Sequence, residues 1–396
     1  MNALKLAPAR QATLASVYTT RATDALASTT ASFAIPLLVL MTTGSTSMTG
    51  IAFVLEWTPR LAAFSFTGSL VDRWGAGLMA RYANLIRSVS MAGAGACLAI
   101  LPASGAATTG VVLAFGTISG LLAEISFVAL ETIGAEFGRR FEHQAHHIQS
   151  VNTGIDQGAL LAGPLLVGVL VQAGTSTVLF VVAGLSVAAA IGIPGDLAHA
   201  RHSATPSNLR MGMQALLRGR ALFWLVVGLA ACNLSSAVLQ AATPALLLVR
   251  FQRSAADVGM LWSAVAVAAL LAVWGARRAI DRWQVNFVGA AAAAASTAAC
   301  LAVAIVPEFL AYAMAVVVFM AAEGALTVVL RTLRSQLIPA EGFGSILSAS
   351  ILVVLLPMPL AGVLVAVVPF DSLTLLFPVC AALQAILLWL CFRRPH

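Results

Sequence analysis

Apolar residues fill this chain in blocks of roughly 20, the length an α-helix needs to cross a bilayer. Twelve such blocks lie end to end: 13–41, 48–71, 81–102, 108–137, 146–172, 176–195, 221–249, 256–278, 285–306, 309–334, 343–368 and 372–392. The breaks between them carry turn residues, as in Thr42-Thr43-Gly44-Ser45, Pro102-Ala103-Ser104-Gly105 and Ala173-Gly174-Thr175-Ser176. One stretch stays polar for longer, Asp196 to Arg220, and holds Pro206, Ser207 and Asn208. The pattern predicts an all-α integral membrane protein of 12 transmembrane helices in two six-helix halves. The halves are residues 1–195 and 221–396, and 196–220 is a cytoplasmic linker.

Composition excludes a soluble protein: 60% of the residues are hydrophobic, 9% are charged, and the mean hydropathy is +0.95. The net charge of +7 comes almost wholly from arginine, because Lys5 is the only lysine. One set of loops carries Lys5, Arg10, Arg73, Arg81, Arg139, Arg140 and their counterparts through Arg394, whereas the opposite set carries only Arg250 and Arg253. The positive-inside rule then places both termini in the cytoplasm, which requires an even number of spans. No basic run with interleaved aromatics suggests a nucleic-acid partner. Cys97, Cys232, Cys300, Cys380 and Cys391 sit in apolar blocks without C-x-x-C spacing and read as small packing residues, with no disulfide expected. Arg21 and Asp24 interrupt the first apolar block, so no signal peptide is expected. There is no phosphate-binding loop and no nucleophile or metal-protease spacing, so an enzyme and a bound cofactor are both unexpected.

Two internal copies organise the sequence. Gly68-Ser69-Leu70-Val71-Asp72-Arg73-Trp74-Gly75 follows the second block, and Ala279-Ile280-Asp281-Arg282-Trp283 lies about half a chain later. Ala123-Glu124 in the fourth block matches Ala322-Glu323 in the tenth at nearly the same offset. The first motif resembles the loop 2–3 signature of major facilitator superfamily transporters, although Ala76-Gly77-Leu78 replaces the basic residues that usually follow. Gly158-x-x-x-x-Gly163-Pro164-x-x-x-Gly168 resembles the antiporter motif of exporters in that superfamily. Two further stretches resemble the enterobactin-exporter branch: Ser236-Ala237-Val238 through Pro244 with Ser254 to Gly259, and Arg334-x-Gln336-Leu337-Ile338-Pro339. The resemblance implies a monomeric, multi-pass transporter of a bacterial cytoplasmic (inner) membrane, exporting a siderophore or drug-like solute by alternating access of two halves.

Ionisable residues at membrane depth are costly unless paired or hydrated, so each is a functional candidate. Arg21 and Asp24 stand at i, i+3 on the first helix, and Glu56 and Arg60 at i, i+4 on the second. Asp24 is the expected proton-coupling site with Arg21 as its partner; a static ion pair that fixes helix packing is the alternative. Glu124 is expected to face the cavity, and Glu323 is its repeat partner. Glu131 and Glu136 are expected to bond Arg73, Arg139 or Arg140 in a cytoplasmic gate network, Arg331 to be structural, and Asp156 to lie beside the Gly-Pro motif. The gate is expected at Gly68, Asp72, Arg73 and Gly75, at Asp281 and Arg282, and along Gly158, Gly163, Pro164 and Gly168, whose small face would admit a helix of the other half. Pro357 and Pro359 suggest a matching bend. Asn233, Ser236 and Gln240 give the seventh helix a polar face for substrate or for a neighbouring helix. His143, His146 and His147 read as a solvated loop.

Three functions compete. The leading one is proton-coupled export of a small organic solute. Thr20-Arg21-x-x-Asp24 with Asn233-x-x-Ser236 also resembles the ligand pattern of bacterial ferroportins, which would make a divalent metal ion the cargo. A non-transporting scaffold or sensor is the third, and motifs present in both halves argue against it.

Overall fold

A computed structural model describes residues 8–102, 104–140, 145–193, 209–338 and 343–393, with side chains described there except at 8–14, 68, 69, 72, 135–140, 145–150, 153, 332, 335, 336 and 343–345. Apolar blocks whose backbone polar groups must be satisfied internally become helices. They are α1 (Pro8–Thr43), α2 (Thr46–Trp74), α3 (Ala76–Ile100), α4 (Ala106–Arg140), α5 (Ala145–Leu170) and α6 (Thr175–Gly192). After a short α7 (Leu209–Arg218) come α8 (Arg220–Ala245), α9 (Ala255–Arg282), α10 (Val285–Ile305), α11 (Phe309–Leu337), α12 (Phe343–Leu355), α13 (Pro357–Val367) and α14 (Leu376–Phe392). Among the described residues eleven helical segments are long and apolar enough to cross a membrane. The twelfth long segment, α2, spans 29 residues but carries Glu56 and Arg60 in its middle and is too polar to join them.

The eleventh block is two helices. Its first part, α12, stops at Leu355, and Pro357 starts α13 at the position where a missing N–H costs least. Pro244 acts differently: α8 runs through it and then widens into a five-residue turn over Leu246–Arg250, where the Phe251 N–H reaches the Leu246 carbonyl. The second part of the linker is also ordered. Within it α7 buries Gly212 and Leu216, leaves Arg210 and Arg218 exposed, and packs against α12.

The chain divides into two compact units, Met1–Thr43 with Leu55–Thr205, and Gly44–Val54 with Pro206–His396. In the first, α3 packs on α4 and α6, and α1 packs on α4, α5 and α6. Its apolar core gathers Val17, Ala63, Val71, Met79, Leu130 and Ile133. In the second, α10 packs on α11 and α14, α9 on α11, and α8 on α11, α13 and α14. Its core gathers Leu225, Leu229, Leu326, Val329, Leu330 and Leu388.

Candidate functional site

Three arginines organise the polar interior of the first unit. Arg87 is fully buried on α3. Its Nη2 pairs with Asp24 Oδ1 on α1 at 3.1 Å and also donates to Asn84 Oδ1 at 3.0 Å. Nε donates to Ser186 Oγ on α6 at 2.9 Å and Nη1 to Ser28 Oγ at 2.8 Å. The Ser126 hydroxyl on α4 donates to the same Asp24 oxygen at 2.9 Å. One guanidinium thus ties α1, α3 and α6 together, and the Asp24 carboxylate adds α4. A buried charge survives in this way, matched by an opposite charge and hydrogen-bonded at its remaining positions.

The sequence expectation paired Asp24 with Arg21, and the structure separates them. Arg21 grips Asp156 on α5 with two bonds, Nε to Oδ1 at 3.1 Å and Nη2 to Oδ2 at 2.7 Å, and its Nη1 meets Glu131 Oε2 on α4 at 2.8 Å. Helical i, i+3 spacing brings Cβ atoms together, but a guanidinium on a three-carbon stem reaches carboxylates on other helices instead. Glu131 therefore meets Arg21. Glu136, Arg139, Arg140 and the three histidines lie outside the described side chains. Arg87 was missed in the sequence; its signal was an arginine six residues past Arg81, inside an apolar block.

Glu56 and Arg60 meet as their spacing implied, at 2.9 Å. The same Arg60 Nη2 donates to Ser32 Oγ at 2.7 Å, and its guanidinium lies 4.9 Å from the Trp57 ring centroid. Glu124 is half-buried one turn beyond Gly120. A Cβ at Gly120 would lie 2.6 Å from the Glu56 carbonyl oxygen, so α4 and α2 touch backbone to backbone there.

The turn motif has a local cause at one end. Gly75 takes φ +90°, a left-handed conformation that favours glycine, and its N–H closes on the Val71 carbonyl at 2.8 Å. Arg73 is exposed, with its guanidinium 5.8 Å from the Trp74 ring; the Gly68 and Asp72 side-chain positions lie outside the described residues. In the second copy Arg282 stands over Trp283 at the same 5.8 Å, Asp281 is exposed, and the helix ends on an extended Trp283, which needs no glycine. On α5, Gly158 faces open space, whereas Gly163 is closed by α1: a Cβ there would lie 2.6 Å from Thr29 Oγ1. Thr29 also donates to the Ala159 carbonyl at 3.0 Å. Gly163 therefore receives α1, a helix of its own unit, while Pro164 and Gly168 are buried.

In the second unit the polar face of α8 splits. Asn233 Nδ2 donates to the Val354 carbonyl at 2.8 Å, near the end of α12. Ser236 is buried and Gln240 half-buried. Ser254 and Asp257 form a capping box at the start of α9, with Asp257 N–H to Ser254 Oγ at 3.2 Å and Ser254 N–H to Asp257 Oδ2 at 2.9 Å. That part of the exporter-like pattern thus has a helix-starting role.

Glu323 on α11 is the other kind of buried acid. It is 5% exposed, and among the described residues no cationic side chain pairs with it. Gln384 Nε2 on α14 donates to Glu323 Oε1 at 2.7 Å and also to Ser296 Oγ on α10. Cys232 on α8 lies beside the carboxyl.

No family model matches this chain, and no curated protein matches it. Solved structures do. A bacterial homologue of the iron transporter ferroportin, in an inward-facing state, is similar with a TM-score of 0.77 and 14% identity over 98% of this chain and 100% of that one. The D-xylose–proton symporter is similar with a TM-score of 0.73 and 13% identity over 96% and 97%. This is the major facilitator fold. A bacterial homologue of the lysosomal transporter Spinster shares it, with a TM-score of 0.72 and 12% identity over 98% of both chains. So does a structure described as a bacterial metal transporter, with a TM-score of 0.68 and 15% identity over 97% and 98%. The major facilitator fold accounts for the two internal copies read from the sequence and leaves the cargo open.

Proposed function

We propose that this chain is a monomeric secondary active transporter of a bacterial cytoplasmic membrane, with both termini in the cytoplasm, which exports a small organic solute by proton-coupled alternating access. The observation that carries the reading is Glu323: a carboxyl buried among apolar helices of the major facilitator fold, with no cationic partner among the described residues. A neutral carboxylic acid is tolerated there, whereas an ionised one must be hydrated or compensated. Its proton occupancy is therefore tied to which side admits water, as coupling requires. Asp24 is less suited to that role, because Arg87 and Ser126 already balance its carboxylate. It acts instead in the framework of the first unit, as Arg21 does with Asp156 and Glu131. Outward direction is supported by the exporter-like run Gly158 to Gly168.

A second reading is divalent-metal export, favoured because two of the structures with this fold are described as an iron transporter homologue and a metal transporter. The sequence resemblance names Asp24 in the first unit and Asn233 in the second for that reading. Against it, Arg87 places a positive charge 3.1 Å from the Asp24 carboxylate, and the Asn233 amide is bonded to Val354. Among the described residues no three His, Cys, Asp or Glu side chains gather in a group that could hold a metal ion.

Purified protein in liposomes with an imposed pH gradient tests the choice. A catecholate siderophore, ethidium and Mn2+ would be offered singly. Gradient-dependent accumulation of either organic probe is expected. Transport of Mn2+ with neither organic probe moving would overturn the reading.

A further inference from the structure

The Gln384 side chain is fully buried, and its position is unusual in one respect. Its Nε2 serves both Glu323 and Ser296, while its Oε1 is buried without any hydrogen-bond partner among the described residues. A primary amide has two donors on one side and an acceptor on the other, and a buried polar atom left unmatched calls for an explanation. The arrangement suits an ionised Glu323, which only accepts. A protonated Glu323 carries an O–H, and where that proton sits on Oε1 it calls for an acceptor at the Nε2 position. Half a turn of the amide supplies one: Oε1 moves to the position of Nε2 and accepts from the Glu323 hydroxyl, while the Ser296 hydroxyl reverses and donates to it as well. Ser and carboxylic O–H rotors allow this reversal without any helix moving.

We infer that Gln384 is the positioning residue that reads the proton on Glu323, turning its amide in concert with the Ser296 hydroxyl on α10, which also touches the carboxyl, and passing the change to its own helix, α14. The inference rests on Glu323 as the coupling carboxyl and extends that reading to its neighbours. One proton enters or leaves the carboxyl; Gln384 and Ser296 keep their proton count and exchange only donor and acceptor roles. Among the described residues no ion pair involves the carboxyl. The titratable groups closest to the carboxyl are thiols, Cys232 on α8 and Cys300 on α10, with Cys380 and Cys391 on α14. The packed helix α9 keeps Asp257 at its start and Arg277, Arg278, Asp281 and Arg282 at its end, and α11 and α8 carry Arg331, Arg334 and Arg220 towards theirs.

The test needs no substrate. Infrared difference spectra of the reconstituted protein, acidic against alkaline buffer, report the C=O stretch of a protonated carboxyl. The parent is expected to show such a band and Glu323→Gln to lack it. In Gln384→Met, which keeps the side-chain length but not the amide, the band is expected to persist at a shifted frequency. Its titration midpoint should rise by about one pH unit or more, because the ionised form loses a charge-assisted hydrogen bond. Ser296→Ala should move the frequency in the same direction by less. A band that survives Glu323→Gln unchanged would overturn Glu323 as the titrating group. A band lost in Glu323→Gln but identical to the parent in both Gln384→Met and Ser296→Ala would overturn the relay alone.

Discussion

Two buried carboxylates in this chain illustrate opposite uses of charge in an apolar interior. Asp24 is met by a guanidinium that bonds four side chains, so removing either partner leaves the other exposed to a low-dielectric surround. Arg87→Met should destabilise the first unit by about 3–5 kcal/mol, the cost of stranding a buried charge. Adding Asp24→Asn should recover a large part of it. Thermal unfolding in detergent measures both, and a single variant as stable as the parent would remove Arg87 from this role. Asp24 and Arg21 were legible in the sequence as charges at membrane depth, but their pairing was not. Spacing along one helix says which side chains begin near each other, and a long guanidinium then reaches whichever helix packs closest. Glu323 was legible through its repeat match with Glu124. Gln384 was not, because an amide in an apolar block looks the same whether it serves a helix contact or a carboxyl.

Glycines decide how closely helices approach, and only some of them matter. Gly50 near the start of α2 meets α13 backbone to backbone: a Cβ there would lie 2.4 Å from the Ala366 nitrogen and 2.6 Å from the Gly362 carbonyl oxygen. The reverse contact is equally tight, with a Gly362 Cβ at 2.8 Å from the Gly50 carbonyl oxygen. Gly50→Val cannot be relieved by a side-chain rotation and should cost about 1–3 kcal/mol in the second unit. Gly184 on α6 is an exposed helical glycine with open space around it, so Gly184→Ala should be neutral or slightly stabilising. Denaturation of the two variants side by side checks the contrast, and equal stabilities would contradict it. The long helices were readable as apolar blocks to within a few residues. The break at Pro357 was visible only as two prolines, since neither residue says whether a helix bends, as α5 does not break at Pro164, or stops. Helix α7 escaped notice because Leu209, Met213 and Leu216 stand at helical spacing inside a stretch whose overall polarity reads as a linker.

For the whole molecule, arginine placement in the sequence implies one topology, with both termini in the cytoplasm. A reporter fused after Arg393 should be active in the cytoplasm, and periplasmic activity would reject the arrangement of an even number of spans with both termini inside. The paired copies follow from the same architecture: the Arg–Trp contacts at the ends of α2 and α9 match, while glycine is kept only where the turn at Gly75 needs it. The central claim is that one carboxyl, Glu323, couples proton movement to transport while Asp24 holds the framework. Glu323→Gln fixes the carboxyl in a neutral form without changing its shape. In liposomes with an imposed pH gradient and the organic probe that the parent accumulates, this variant should exchange substrate in counterflow at close to the parent rate. It should fail to concentrate that substrate against its gradient. If Glu323→Gln still concentrates substrate as the parent does, the coupling carboxyl lies elsewhere and the account is wrong.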